Sequence, residues 1–267
     1  MLRVLAAVVV LAVAPPRPSQ AIPRQPARLA QTLTTTTVAL RADVDRWRAG
    51  GATAQAPNDL ELRALYQQRI YRVLARDDAL ATAVFRRLSP ALRPEARTNV
   101  AAIRALLRLA RPTTKRFRVG APLPPRTLRR YYAEAERRFH VEWQVLAAVN
   151  FVESKFGRVR SSSSAGAQGP MQFLPATWRA YGLGGDVHDP HDAILGAANY
   201  LHANGAPHDY RRALFAYNHS SLYVDAILRY ADRIRRDRRA FYEYYAWQVF
   251  VLRPSGERRL TGPGVTS

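Results

Sequence analysis

Apolar residues recur at three- and four-residue steps along most of this chain, and no strict alternation sustains a strand through residue 240. Leu62, Leu65, Tyr66, Ile70, Val73 and Leu74 form one stripe, with Asn58 or Asp59 placed to cap it. Leu80, Val84 and Leu88 form a shorter one behind Asp77 or Asp78. Val100, Ile103, Leu106 and Leu107 form a third, with Arg97, Arg104, Arg108 and Arg111 facing away. Ser89-Pro90 reads as a cap and first-turn proline ahead of it. Residues 27–48 carry looser helical spacing up to Gly50-Gly51, although the β-branched run Thr34–Thr37 weakens that helix. Residues 126–240 are again helical, with breaks at Gly157, Ser161–Pro170, Gly182–Pro190, Gly205–Pro207 and His219-Ser220. Asp189-Pro190 heads a helix to Asn204, with Gly205 as its C-cap. Tyr245–Leu252 followed by Pro254-Ser255-Gly256 predicts a small terminal hairpin.

The expected fold class is therefore mainly α. Pro112–Pro125 holds four prolines and one glycine and reads as a linker. It separates a helical N-terminal region, 27–111, from a helical domain at 126–240 and a C-terminal extension at 241–267.

Composition changes the picture in two ways. The 267 residues contain 41 Lys+Arg against 20 Asp+Glu, a formal charge of +21, which points to an anionic partner. The absence of cysteine excludes a disulfide framework, a zinc ribbon and a thiol nucleophile. Met1–Ala21 reads as an export signal: Arg3, then the apolar run Val4–Ala14, then Ser19-Gln20-Ala21 as a small-residue cleavage site. Ala12-Val13-Ala14 is a rival site that Pro15 disfavours, and retention as an anchor is the alternative to cleavage. Cleavage after Ala21 removes Arg3 and Arg17 and no acid, taking the charge from +21 to +19. An exported protein this basic meets an envelope polymer more often than DNA.

Candidate chemistry is sparse. None of the six histidines forms the helix pair of a zinc hydrolase. His188 and His191 with Asp186, Asp189 and Asp192 could hold a metal, but they lack a recognised spacing and read better as a polar loop and cap. No metal or cofactor is expected. Glu153 stands out by its surroundings, near the end of a helix over Glu142–Lys155 and after Val149-Asn150-Phe151-Val152. Burial and the helix C-terminus both disfavour its charge and raise its pKa, as a general acid requires. A surface carboxylate paired with Lys155 or Arg158 is the bland alternative.

The residues that follow carry a resemblance. Glu153-Ser154, then Ser163 to Trp178 with its core Gly166-Ala167-Gln168-Gly169-Pro170-Met171-Gln172-Phe173-Leu174-Pro175, then Ala197–Leu201 and Ala216-Tyr217-Asn218, stand in this order. Over residues 125–240 the chain resembles the soluble lytic transglycosylases, relatives of goose-type lysozyme, and the Pro170 form looks like secreted actinobacterial members. Proline replaces the usual leucine at 170, which stiffens the turn and leaves Met171 and Gln172 in place.

The resemblance implies a lysozyme-like helical catalytic domain that cleaves the MurNAc-β-1,4-GlcNAc bond of peptidoglycan. It makes Glu153 the single acid/base and 1,6-anhydromuramic acid the product end. It also implies that Ser163, or Ser164 if the loop register shifts, binds the muramic acid acetamide. Met171, Gln172, Tyr200, Tyr217 and Asn218 would line or support the cleft, with the Tyr217 hydroxyl near Glu153. By spacing alone Tyr200, Tyr217 and Met171 also fit a core. The partner expected is the peptidoglycan glycan strand, with no nucleic acid and no membrane span after signal cleavage. A goose-type hydrolase, with one of Asp186, Asp189 and Asp192 as a second carboxylate, is one alternative. A non-catalytic wall-binding module and a basic nucleic-acid binder are others. The run Arg233, Arg235, Arg236, Arg238 and Arg239 is either a solvated face or a hold on an anionic wall.

Overall fold

The computed structural model describes residues 14–265. The predicted signal core, apart from Ala14, lies outside the described residues. Among the described residues, eleven helices precede one hairpin. They are α1 (Pro26–Ala49), α2 (Asn58–Leu74), α3 (Asp78–Arg87), α4 (Arg93–Leu109), α5 (Pro125–Phe139), α6 (Trp143–Ser154), α7 (Pro175–Tyr181), α8 (Pro190–Ala203), α9 (Tyr210–Tyr217), α10 (Ser221–Arg236) and α11 (Arg239–Ala246). Strands β1 (Phe250–Arg253) and β2 (Gly256–Arg259) pair antiparallel, with Phe250 opposite Arg259. The mainly helical class and the terminal hairpin both stand as expected. No described helix is long and apolar enough to cross a membrane.

Local chemistry explains where the elements depart from the pattern. The threonine run does not break α1, because Thr32, Thr34 and Thr35 turn their hydroxyls back onto the carbonyls of Arg28, Ala30 and Gln31. Asp77 caps α3 by accepting from Leu80 N at 2.9 Å. Neither Asn58 nor Asp59 caps α2, which starts behind Pro57. Ser89 closes a turn onto Leu92 N instead of capping α4, which begins at Arg93 with Pro94 in its first turn. Helix α8 closes on Asn204, and the next residue, Gly205, takes φ +119°. The largest departure is α11. The expected strand begins at Tyr245, but Tyr245 and Ala246 end this helix, in which Phe241, Tyr244 and Tyr245 share one buried face. The hairpin accordingly starts at Phe250 rather than Tyr245.

Helix α6 lies at the centre, with every residue from Val145 to Phe151 buried. Helix α10 packs against it and, on another side, against α4, while α1 and α2 both meet α11. The buried apolar residues of the N-terminal helices and of the 126–240 segment therefore form one cluster. A buried ionic cluster sits in the same seam: Glu95 bridges Arg41 and Arg233, and Arg41 also reaches Glu243 at 3.8 Å. Residues 112–124 form no helix and run as a strap, with Val119 bridging Val159.

Candidate active site

Glu153 occupies the last full turn of α6, and the backbone turns abruptly behind it. Lys155, Phe156 and Gly157 take φ of +53°, +61° and +85°. A left-handed phenylalanine is costly. It is held because its ring is buried among Phe151, Phe241 and Tyr245, with centroids 5.5–5.9 Å away. The turn sends the chain into the serine loop and back.

Ser154 staples the two ends of that excursion. Its hydroxyl donates to the Pro170 carbonyl at 2.5 Å and accepts from Gly157 N at 2.8 Å. Asn150, fixed by the Tyr132 hydroxyl at 2.6 Å, donates to the same carbonyl at 2.9 Å. The next carbonyl, Met171, accepts from the Tyr217 hydroxyl at 2.7 Å. Gly169 is required here: at φ +73° a Cβ would lie 1.8 Å from the Val187 oxygen. This explains physically why Glu-Ser and the glycine-rich loop occur together, since the serine holds the loop while the glutamate beside it faces the site.

The Glu153 carboxylate accepts from the Tyr223 hydroxyl at 2.6 Å. Burial pushes its pKa from 4.5 up to about 7, against the opposing effects of the Tyr223 hydrogen bond and the Lys155 charge. Among the described residues no basic group lies within 4 Å of it, so the surface ion pair is not formed. Lys155 instead donates to the Phe151 carbonyl at 3.0 Å and sits over the Phe151 ring. Burial first, and Arg72 next, bring Lys155 down to about 7. Arg158 is buried and donates to Tyr245 O at 2.8 Å.

The other residues singled out by sequence fall into three groups. Tyr217, Tyr200 and Phe173 form an aromatic wall with centroids 5.6–6.4 Å apart, joined by Tyr181 at 4.8 Å from Tyr200. Tyr200 donates to Ala216 O at 2.8 Å. The Tyr217 hydroxyl is spent on Met171 O, so its link to Glu153 is electrostatic, while the direct partner is Tyr223. Gln172, at φ +53°, folds its amide back onto Gly169 O at 2.9 Å. Met171 is fully buried, which places its side chain in the core. Ser163 is half-buried and its oxygen accepts from Ala165 N and Ala167 N, while Ser164 and Asn218 are exposed. Tyr223 and Tyr181 are the participants that the sequence motifs do not reveal. Tyr223 carried only the signal of a buried position near the start of α10.

Asp189, His191 and Asp192 stand close enough to share a cation. Their chemistry is already used for capping. Asp189 accepts from His191 N and Asp192 N, Asp192 accepts from Asp186 N, and His191 meets Glu134 at 3.0 Å. Of the arginine run, Arg233 is buried and pairs with Glu95, while Arg235 with Glu142, Arg236 with Asp232 and Arg239 with Asp45 pair at the surface and Arg238 is exposed, as on a solvated face. A cavity of about 780 Å³ is lined by strap residues Arg118, Val119 and Ala121 to Leu123 with Gly157, Gly169 and Pro170, but not by Glu153, Tyr217 or Tyr223.

Comparison with known proteins supplies one match: residues 130–236 fit the family model described as Transglycosylase SLT domain. The matched span contains Glu153, the serine loop, the aromatic wall and Tyr223. No curated protein matches the chain, and no solved structure does.

Proposed function

We propose that this chain is an exported lytic transglycosylase that cuts the MurNAc-β-1,4-GlcNAc bond of peptidoglycan and leaves 1,6-anhydromuramic acid ends. The domain match supports peptidoglycan cleavage of the lytic-transglycosylase type. The finer reading rests on one observation: Glu153 is brought to about 7 by burial, and the groups that act on its charge are Tyr223 and Lys155, neither of them a carboxylate. Most glycosidases work with two carboxylates. A site with one suits a reaction in which the substrate supplies the other nucleophiles.

In this mechanism protonated Glu153 gives its proton to the glycosidic oxygen as the bond from muramic acid C1 breaks. The substrate's acetamide oxygen stabilises C1. The C6 hydroxyl then attacks C1, closes the anhydro ring and returns its proton to Glu153. No water enters and the carboxyl is regenerated. Tyr223 orients the carboxyl through Oε1. Ser163 is the residue proposed to hold the acetamide, with Gln172, Tyr200 and Asn218 around the sugars.

Export rests on the N-terminal pattern of Arg3, Val4–Ala14 and Ser19-Gln20-Ala21. Digestion of purified sacculi and mass analysis of the released muropeptides tests the reaction. Products one water lighter than hydrolytic muropeptides are expected. Hydrated reducing ends would replace this reading with a goose-type hydrolase.

A further inference from the structure

The strap between the two helical regions is tied to the serine loop through Lys115 and Arg118. Thr113 N donates to Leu252 O at 3.0 Å, which fastens the strap to β1. The Arg253 guanidinium, also on β1, donates to the carbonyls of Thr113 at 2.9 Å and Lys115 at 2.7 Å. Lys115 passes the connection on: its ammonium donates to the Ser162 carbonyl and, at 3.3 Å, to the Ser163 carbonyl. Arg118 N donates to Ser161 Oγ at 2.7 Å. Three successive serines are thus tied to one segment of the strap. On its other side the loop closes on itself, with Ser163 N donating to Ala167 O and Ser163 Oγ accepting from Ala167 N.

A charged donor shared by two neighbouring carbonyls is a strong restraint on a polar loop that has little packing of its own. It bears directly on the residue proposed to hold the acetamide. We infer that Lys115 is a positioning residue for the acetamide subsite, setting the Ser163 peptide from the strap, and that Arg253 braces it from the terminal hairpin. This rests on the reading of Ser163 given under the proposed function. Lys115 touches no substrate atom in this scheme. It acts through the loop backbone, before and during substrate binding.

The test uses the full chain and soluble, uncross-linked peptidoglycan strands. Lys115→Met keeps the stem and removes the donor. It is expected to raise KM about tenfold and to leave kcat within about twofold, with an unchanged melting temperature. Lys115→Arg, which keeps donors at that place, restores most of the loss. Amide exchange at Ala165 and Ala167 is expected to quicken in Lys115→Met. An unmoved KM, a fall in kcat at constant KM, or unchanged exchange at those amides would each overturn the inference. A wild-type chain inert on these strands would overturn the catalytic reading and this one together. An active wild type with an indifferent Lys115→Met overturns only this one.

Discussion

The Tyr223 hydroxyl donates to Glu153 Oε1 across 2.6 Å, from the first turn of one helix to the last turn of another. The bond favours the ionised carboxylate while burial favours the neutral acid, and burial prevails. Removing the hydroxyl should therefore push the Glu153 pKa higher still. A general acid must be protonated, so activity falls as pH rises through the folded pKa. In Tyr223→Phe the alkaline limb of the kcat/KM profile should move upward by about one to two units, since a hydrogen bond to a charged group is worth about 1.5–3 kcal/mol. A downward shift would mean that the hydroxyl serves the neutral acid instead.

Glu153→Gln keeps shape and burial and removes the transferable proton. Muropeptide release should fall by roughly 10²–10⁴-fold or more, while binding to sacculi persists. Release at the wild-type rate would leave only a wall-binding module.

Ser154→Ala removes a donor from the Pro170 carbonyl and an acceptor from Gly157 N in a buried place. The expected cost is about 1–3 kcal/mol, read by chemical denaturation. Activity should fall further than stability, because the same contact aligns the loop with Glu153.

The seam between the helical regions predicts a pH dependence of stability. Burial, and then Glu95, raise Glu243 from 4.5 to about 8, against the pull of Arg233 and Arg41 and with a further push from Asp237. The folded state thus holds the proton more tightly than the unfolded chain does. Stability from this group is complete below the ordinary carboxylate range and is lost as pH rises toward about 8. Glu243→Gln cannot ionise, so its melting temperature relative to wild type should climb between pH 5 and pH 9. A constant difference across that range would contradict this account.

Much of this was legible from residues alone, and the reasons are local. The α6 helix, its end near Glu153 and the raised pKa of that carboxyl follow from an apolar run meeting a glycine, which needs no knowledge of distant partners. The end of helix α11 was hidden because Tyr245 opens an aromatic and β-branched run that favours a strand until a core exists for it to face. Tyr223 was hidden because its function depends on how α10 crosses α6, and nothing in its own neighbourhood records that crossing. Met171 sat in a motif that suggested a wall, but its side chain is buried while its carbonyl accepts from Tyr217, an arrangement that its own sequence neighbours do not record. Within the arginine run, Arg233 and Arg239 could not be told from a face toward water or wall until Glu95 and, 194 positions away, Asp45 were brought beside them.

The match to the transglycosylase model stops at residue 236, yet the fold has no seam there. Helix α10, which carries Tyr223, packs against α4 as well as α6, and its Arg233 closes the charge of Glu95. The contact between Tyr223 and Glu153 thus takes part of its support from outside the matched span. A force or partner that shifted the first four helices would tilt the beam on which Tyr223 is mounted and so retune the acidity of Glu153. Excising residues 130–236 would yield the letters of the site without the footing that sets its proton.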